Sequence, residues 1–228
     1  MWLNIRYLDG APFGKKIIGV KYMTSMAKRD GKSDILMNPD DSVFLVIDYQ
    51  PTQIESINSI DRATLMRNIV VTQKLINAFN IPTILSTVNV QTGRNKDTFP
   101  ELKAQLPGVK SYDRTSINAW EDQDFNDAVK ATGRHKIIIA ALWTEACLTF
   151  PTLDALHEGY EVFPVVDAVG GTSKVAHETA IQRVVQAGAQ PTSIAQLACE
   201  LQRDWNRTET VPKFVSELME GGIFLNLG

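Results

Sequence analysis

The chain has 228 residues, which fits one globular domain with extensions, and its 44% hydrophobic and 21% charged residues are typical of a soluble protein. A formal net charge of −3 gives no reason to expect nucleic acid or an anionic membrane as a partner. No apolar run approaches the roughly 20 residues that span a bilayer. Two cysteines do not make a disulfide framework, which favours the reducing cytoplasm as the compartment.

The first 34 residues are basic, with lysine or arginine at seven positions and few acids. They lack the continuous apolar stretch of a secretory signal. A basic N-terminal segment of this kind can be an organelle-targeting peptide, which is the more specific interpretation. We rank it below a cytoplasmic location, because Asp9, Asp30 and Asp34 interrupt the basic run and serine is scarce. We expect residues 1–38 to form a flexible N-terminal extension.

From residue 42 onward, short apolar segments alternate with helical patterns. Residues 43–47 predict a first strand, residues 62–79 a helix, and residues 82–86 a second strand. A polar loop at 89–97 then leads to a short helix at 100–105.

The second half of the chain continues this alternation. Its predicted elements, in chain order, are a short strand at 109–112, a helix at 122–132, a buried strand at 135–142, a helix at 145–157, a strand at 160–166, a helix at 174–187, a weak sixth strand at 190–194, a helix at 194–205 and a tail or arm at 206–228. This order predicts an α/β fold: a three-layer α/β/α sandwich over residues 39–205 with a mostly parallel, roughly six-stranded sheet.

Four polar or reactive residues follow strands in this arrangement. Asp48 comes directly after the first strand, Arg114 after the third, Cys147 after the fourth and Asp167 after the fifth. In open parallel sheets the functional site lies beyond the carboxyl ends of the strands. We therefore expect these side chains to converge at one edge of the sheet.

Cys147 also lies at the start of a helix, with Thr144 as the expected N-cap. A thiol in the first helical turn faces unpaired backbone N–H groups and the positive end of the helix dipole. Both favour the thiolate, so the position predicts a nucleophile with a lowered pKa. Cys199, by contrast, lies in an apolar helical segment and is predicted to be buried.

Three segments together resemble the isochorismatase-like cysteine hydrolase superfamily. Residues 48–50, Asp-Tyr-Gln, end an apolar strand as the family's Asp-x-Gln does. Residues 114–120, Arg-Thr-Ser-Ile-Asn-Ala-Trp, resemble its Lys-x-x-x-Ser-Ala-Phe, and residues 141–147, Ala-Leu-Trp-Thr-Glu-Ala-Cys, resemble its Gly-x-x-Thr-x-x-Cys. The resemblance covers residues 40–205 and is greatest to the YcaC-like branch.

This resemblance implies a triad with Asp48 as base, Arg114 as cation and Cys147 as nucleophile. It also implies a cis peptide bond between Leu142 and Trp143, and an oxyanion hole made by the N–H groups of Trp143 and Cys147.

The resemblance further places Gln50, Asn118, Trp120 and Thr144 around a substrate pocket. For Trp120 the hydrophobic core is an equally weighted alternative. His177, at the start of the helix after strand five, is expected to cap that turn, with a substrate contact as the less favoured role.

Two departures from the family pattern matter for function. Most of the superfamily has lysine where this chain has Arg114, and an arginine essentially cannot pass a proton, so we expect an electrostatic clamp. The loop at 89–97 lacks the histidine that the nicotinamidase branch uses to bind a divalent ion, so we expect no metal and no other cofactor.

The resemblance therefore implies a cysteine hydrolase acting on a small amide- or ester-like molecule. A non-catalytic ligand-binding member and a redox or thiol-handling protein are the alternatives. The YcaC-like branch also implies self-association, as an octamer. The apolar residues within 206–228 could form an oligomerisation arm or fold back over their own domain.

Overall fold

The computed structural model describes residues 34–223. The expected flexibility and the targeting alternative for residues 1–33, and the end of the tail at 224–228, lie outside the described residues. Between residues 34 and 223, no helix is both long and apolar enough to cross a bilayer.

A parallel sheet forms the centre of the described domain. Its strands are β1 (Ser42–Ile47), β2 (Thr83–Val88), β3 (Ser111–Arg114), β4 (Lys136–Ala141) and β5 (Glu161–Pro164). The strand order is β3-β2-β1-β4-β5, and every neighbouring pair is parallel. Every residue of β1 and β4 is buried, which is the expected environment of apolar strands covered on both faces.

The predicted sixth strand is wrong, and the sheet of the described domain has five strands. Residues 190–194 make only a single parallel bridge, between Thr192 and Val165. The Thr192 N–H donates to the Pro164 carbonyl at 2.8 Å. Because β5 ends at Pro164 and the chain turns into a 3₁₀ helix two residues later, no extended partner remains for a longer ladder.

Helices flank the sheet, and the three-layer architecture predicted from the sequence is confirmed. They are α1 (Pro51–Glu55), α2 (Arg62–Ala78), α3 (Pro100–Lys103), α4 (Gln123–Ala131), a π-helical turn (Thr144–Leu148) that continues into α5 (Thr149–His157), α6 (Lys174–Gln186), α7 (Ile194–Gln202) and α8 (Val211–Glu220). Short 3₁₀ turns lie at Ala119–Glu121 and Val166–Ala168.

The strand order creates a crevice between β1 and β4. From β1 the chain builds outward through β2 to β3, and it then returns to the other side of β1 to build β4 and β5. The junction of β1 and β4 is therefore the topological switch point, where ligands bind in open α/β sheets. Asp48 follows β1, and the π-helical turn with Cys147 follows β4.

Both ends of the described chain pack more closely on the domain than the sequence suggests. Met37, assigned above to the extension, is fully buried, and its N–H donates to the Glu200 carboxylate at 2.9 Å. At the other end, α8 packs against α2 and α7 and buries Phe214 and Leu218. The described part of the 206–228 segment thus follows the alternative in which the tail folds back over its own domain.

Candidate active site

A buried ion pair lies at the carboxyl end of β1. The Arg114 Nη1 and Nη2 atoms donate to the two carboxylate oxygens of Asp48 at 2.8 and 2.7 Å. The side chains of Arg114 and Asp48 are 1% and 0% exposed. Such a bidentate ion pair fixes both groups in one geometry, because the spacing of the guanidinium N–H groups matches that of the carboxylate oxygens.

The backbone at Asp48 is unusual. Its φ of 62° lies in the left-handed region, which residues other than glycine seldom adopt. The Asp48 N–H still donates to the Ser86 carbonyl at 3.0 Å, so the ladder to β2 extends through this residue. Conformations of this kind cluster at functional sites, and here one carries the carboxylate of the buried pair.

Arg114 is the last residue of β3 rather than part of the loop after it. Its Nη1 also donates to the Ser86 hydroxyl at 2.9 Å and the Thr87 carbonyl at 3.1 Å, and its Nη2 to the Ile117 carbonyl at 3.0 Å. Burial lowers the pKa of Arg114, but its hydrogen bonds to Asp48 and the charge of that carboxylate outweigh burial and raise it. These contacts hold the guanidinium beside the Asp48 carboxylate, and the electrostatic clamp stays a prediction.

Cys147 lies beside this pair. Its side chain donates to the Ile117 carbonyl at 3.6 Å, and the Arg114 Nη2 lies 3.9 Å from the Cys147 Sγ. Cys147 is 7% exposed, so the sulfur lies just beneath the surface. The structure thus brings the three residues of the predicted triad together at one sheet edge.

The prediction that Cys147 has a lowered pKa is wrong. Burial raises the pKa of the thiol, and the charge and hydrogen bonding of Asp48 raise it further. Arg114 and the Trp143 N–H, which faces the sulfur, act in the opposite direction but do not compensate. The resting group is therefore a thiol, and a base must remove its proton before it can attack.

The second cysteine also differs from the sequence prediction, because Cys199 is exposed. The buried residues of α7 follow a helical stripe: Ile194, Leu197, Ala198, Leu201 and Gln202. Cys199 lies one position past that stripe and faces outward.

The turn that carries Cys147 contains the expected cis peptide bond between Leu142 and Trp143. The helix begins at Thr144 with Trp143 in the N-cap position, so the prediction of Thr144 as N-cap is wrong. The Trp143 carbonyl accepts from the N–H groups of Ala146 and Leu148 at 3.2 Å each. A π-helical turn of this kind often marks a functional site.

Thr144 is fully buried, and its hydroxyl contacts His177 instead of facing a pocket. The Thr144 Oγ1 lies 2.9 Å from the His177 Nδ1. Burial lowers the pKa of His177, while Glu145 and Glu178 raise it by a smaller amount. The imidazole is therefore neutral at pH 7.

Gln50 is fully buried, and its amide closes the loop that follows β2. Its Nε2 donates to the carbonyls of Val88 and Lys96 at 3.1 and 2.6 Å, and its Oε1 accepts from the Val88 N–H at 2.9 Å. The structure gives this predicted pocket residue a different role, because the amide is bonded to the protein rather than offered to a substrate.

Asn118 and Trp120 are also held by other protein groups. The Asn118 Nδ2 donates to Asp154 at 2.6 Å, and its Oδ1 accepts from the Trp120 N–H at 3.1 Å. The Trp120 indole donates to Glu158 at 2.8 Å and packs edge-on against Tyr160. Because Glu158 and Tyr160 precede β5, the indole points toward the amino ends of the strands, which supports the core alternative for Trp120.

No group of three or more histidine, cysteine, aspartate or glutamate side chains within residues 34–223 is placed to hold a metal ion. Two contacts of Arg114, with the Ser86 hydroxyl and the Ile117 carbonyl, were not predicted from the sequence. The Ser86 hydroxyl could have been found, because Ser86 ends the predicted second strand and so belongs to the same edge. The Ile117 carbonyl could not, because a backbone acceptor has no residue-type signal.

Comparison with known proteins identifies the family of the chain. The family model of the isochorismatase domain matches residues 42–196. The chain belongs to the isochorismatase family. The probable hydrolase YcaC of Escherichia coli K12 is 40% identical over 175 residues, 76% of this chain and 84% of that protein.

Two solved structures of this family share the fold. YcaC from Pseudomonas aeruginosa, determined with hexane-2,5-diol and covalent acrylamide, has a TM-score of 0.78 and 35% identity over 82% of this chain and 92% of its own. E. coli YcaC, an octameric hydrolase of unknown specificity, has a TM-score of 0.76 and 38% identity over 81% of this chain and 91% of its own.

Proposed function

We propose that the protein hydrolyses a small amide- or ester-like substrate through the thiol of Cys147, without a metal ion or other cofactor. The observation that carries the proposal is the buried cluster of Asp48, Arg114 and Cys147 at the topological switch point. Two related proteins support it: the E. coli relative is a hydrolase, and the P. aeruginosa relative carries covalent acrylamide.

The first half-reaction begins at the protonated thiol. The Asp48 carboxylate takes the proton of Cys147 as the sulfur attacks the substrate carbonyl. The backbone N–H groups of Trp143 and Cys147 donate to the oxyanion of the tetrahedral intermediate. Collapse of the intermediate breaks the bond to the leaving group, which takes the proton from Asp48 and leaves a thioester on Cys147.

The second half-reaction returns the enzyme to its starting state. Asp48 accepts a proton from water, and the resulting hydroxide attacks the thioester. The second tetrahedral intermediate releases the acid product, and Cys147 recovers its proton. Arg114 keeps the Asp48 carboxylate in place throughout. Because the pKa of Cys147 is raised, its thiol needs a base for attack, and Asp48 is the carboxylate beside it.

The same features argue against a redox sensor. Sensor cysteines are exposed and have low pKa values, whereas Cys147 is 7% exposed and its pKa is raised. The limited exposure also restricts the substrate to a small group at the sulfur. Both cysteines are free thiols, consistent with the cytoplasm as the compartment.

Incubation of the wild type and Cys147→Ser with a library of small amides and esters tests the proposal. We expect turnover only in the wild type, and a mass increase of one acyl group on Cys147 when the reaction is quenched early. Acrylamide adduct formation without any turnover would favour a ligand-binding member. A mass change with peroxide but not with any carbonyl compound would favour a thiol-handling protein.

The proposal includes self-association into an octamer, as in the E. coli relative. Several large apolar side chains are exposed on the single chain, among them Ile117 at 63%, Val175 at 74% and Trp205 at 61%. Exposed apolar groups are typical of surfaces that pack against another copy. Light scattering at micromolar concentration should give about eight times the mass of one chain, and a monomer would contradict this part.

A further inference from the structure

We propose that His177 is a positioning residue for the turn that carries Cys147 and that it acts through the hydroxyl of Thr144. The inference rests on the proposed role of Cys147 as nucleophile. It adds a fourth side chain, on α6, to a site otherwise built from β1, β3 and the turn after β4.

Thr144 holds that turn in place through three polar contacts. Its N–H donates to the Gly170 carbonyl at 2.9 Å, and its carbonyl accepts from the Thr149 hydroxyl at 2.7 Å. Its hydroxyl meets the His177 Nδ1 at 2.9 Å, and this is its only partner among the described residues. Because Thr144 directly follows Trp143, whose N–H faces the Cys147 sulfur, these contacts also set the direction of that donor.

The contact between the Thr144 hydroxyl and His177 depends on the protonation state of the imidazole. A neutral imidazole with its hydrogen on Nε2 accepts a hydrogen bond from the Thr144 hydroxyl at Nδ1. A protonated imidazole donates at Nδ1, so the Thr144 oxygen must accept. The hydroxyl hydrogen is then displaced, and within the described residues it has no second acceptor. Protonation of His177 therefore removes the hydrogen bond that the Thr144 hydroxyl donates in the neutral state.

The backbone at Gly171 passes close to both Glu145 and His177. A Cβ at Gly171 would lie 2.6 Å from the Glu145 Oε2 and 3.1 Å from the His177 Cβ. The charged groups that face the imidazole are Glu145, from the nucleophile turn, and Glu178, from α6 itself. Burial outweighs both and lowers the pKa of His177 below its ordinary value.

Of the three histidines, His177 alone lies near the turn that carries Cys147. The chain has three, and all lie within the described residues. His135 directly precedes β4, and His157 ends α5 shortly before β5, so both lie at the opposite, amino-end edge of the sheet. His157 therefore provides a matched control.

The rate of acrylamide addition to Cys147 tests the inference without needing a substrate. It is measured by intact mass in a Cys199→Ser background, from about pH 4.5 to about pH 8, the range in which histidine titrates. A thiolate reaction alone gives a slope of one for the logarithm of the rate against pH. We expect a steeper slope below the His177 pKa, a slope of one throughout in His177→Gln, and the wild-type profile in His157→Gln.

The Thr144 hydroxyl is tested in the same assay. We expect Thr144→Ser to keep the steeper slope below the His177 pKa, because serine retains the hydroxyl. Thr144→Val should react about three- to tenfold more slowly at neutral pH, which is the effect of losing one hydrogen bond. Its rate should also lack the steeper dependence on pH below the His177 pKa.

A slope of one in the wild type, or a steep limb that persists in His177→Gln, would overturn the inference while leaving the proposed function intact. A wild-type Cys147 that acrylamide never modifies would overturn both.

Discussion

The two ends of the sheet carry ion pairs of the same kind in opposite surroundings. At the carboxyl ends, Asp48 and Arg114 are 0% and 1% exposed. At the amino ends, Glu158 and Lys130 are 35% and 48% exposed. An exposed pair contributes about 0 to 1 kcal/mol and needs no special explanation.

A buried pair is different, because taking each ion out of water costs several kcal/mol. Stability therefore does not explain why Asp48 and Arg114 are kept in the interior, next to a thiol and with Asp48 at a φ of 62°. The role proposed above for the pair in hydrolysis would account for its burial. A pair of opposite charges is thus a partly exposed surface contact at one edge and the centre of the candidate site at the other.

The largest expected effect is on turnover in Asp48→Asn. The amide is similar in size but cannot accept the thiol proton, so kcat should fall by about 10²- to 10⁴-fold. Glu158→Gln, at the other edge, should stay within about twofold of the wild type, as surface substitutions generally do. Steady-state kinetics on any hydrolysed substrate measures both, and near-normal turnover in Asp48→Asn would remove the functional contrast between the edges.

The next effect is on stability. Arg114→Met leaves the Asp48 carboxylate buried without its partner and should lower the free energy of unfolding by about 3–5 kcal/mol. Lys130→Met should lower it by no more than about 1 kcal/mol. Urea denaturation measures both values. The double variant Asp48→Leu/Arg114→Met removes both charges and should recover most of the loss. Equal losses in Arg114→Met and Lys130→Met would show that the buried and exposed pairs do not differ in this way.

A smaller effect is expected for Arg114→Lys, which keeps the charge. Lysine has three donors and no fork, so the contacts to the Ser86 hydroxyl and the Thr87 carbonyl cannot all be maintained. We expect a loss of about 1–3 kcal/mol in unfolding free energy, with kcat well above that of Asp48→Asn. A kcat as low as that of Asp48→Asn would show that the guanidinium does more than hold the carboxylate.

The smallest effect is on stability at alkaline pH. The pKa of Cys147 is raised in the folded state above its unfolded value of about 8.5, so this stabilising contribution is complete below that pH and is lost as pH rises toward the folded pKa. Unfolding free energy should therefore decline above about pH 8.5, less steeply in Cys147→Ser than in Cys199→Ser. Identical declines would contradict the burial argument.

Much of the fold could be predicted because its signals are local. Runs such as Val43–Ile47 and Ile137–Ala141 are apolar and rich in β-branched residues, and the alternation with helical patterns determines the layers. Because sites in open parallel sheets lie beyond the carboxyl ends of the strands, Asp48, Arg114 and Cys147 could be predicted to lie together. The sixth strand failed because strand pairing depends on where β5 ends, which local propensity does not reveal.

The electrostatics of the site could not be predicted in the same way. A helix start favours the thiolate, but the sequence does not show that Cys147 is also desolvated and next to a carboxylate, and those two influences decide its pKa. Likewise, Gln50 and Thr144 were identified as site residues from a motif, whereas their partners, a loop backbone and His177, are distant in the chain. Cys199 is different, since the period of α7 already places it outside the apolar stripe.

The Gln50 amide has a consequence for how substrate range can change within this fold. It binds Val88 and Lys96, on either side of a loop whose residues 91–94 are exposed. Lengthening a loop whose ends are fixed costs little, about 0.6 kcal/mol for each doubling. Insertions between these two anchors could therefore reshape the surroundings of the site while the buried pair and the thiol stay where they are. The loop after β2 is thus a place where this fold can accept insertions at little cost.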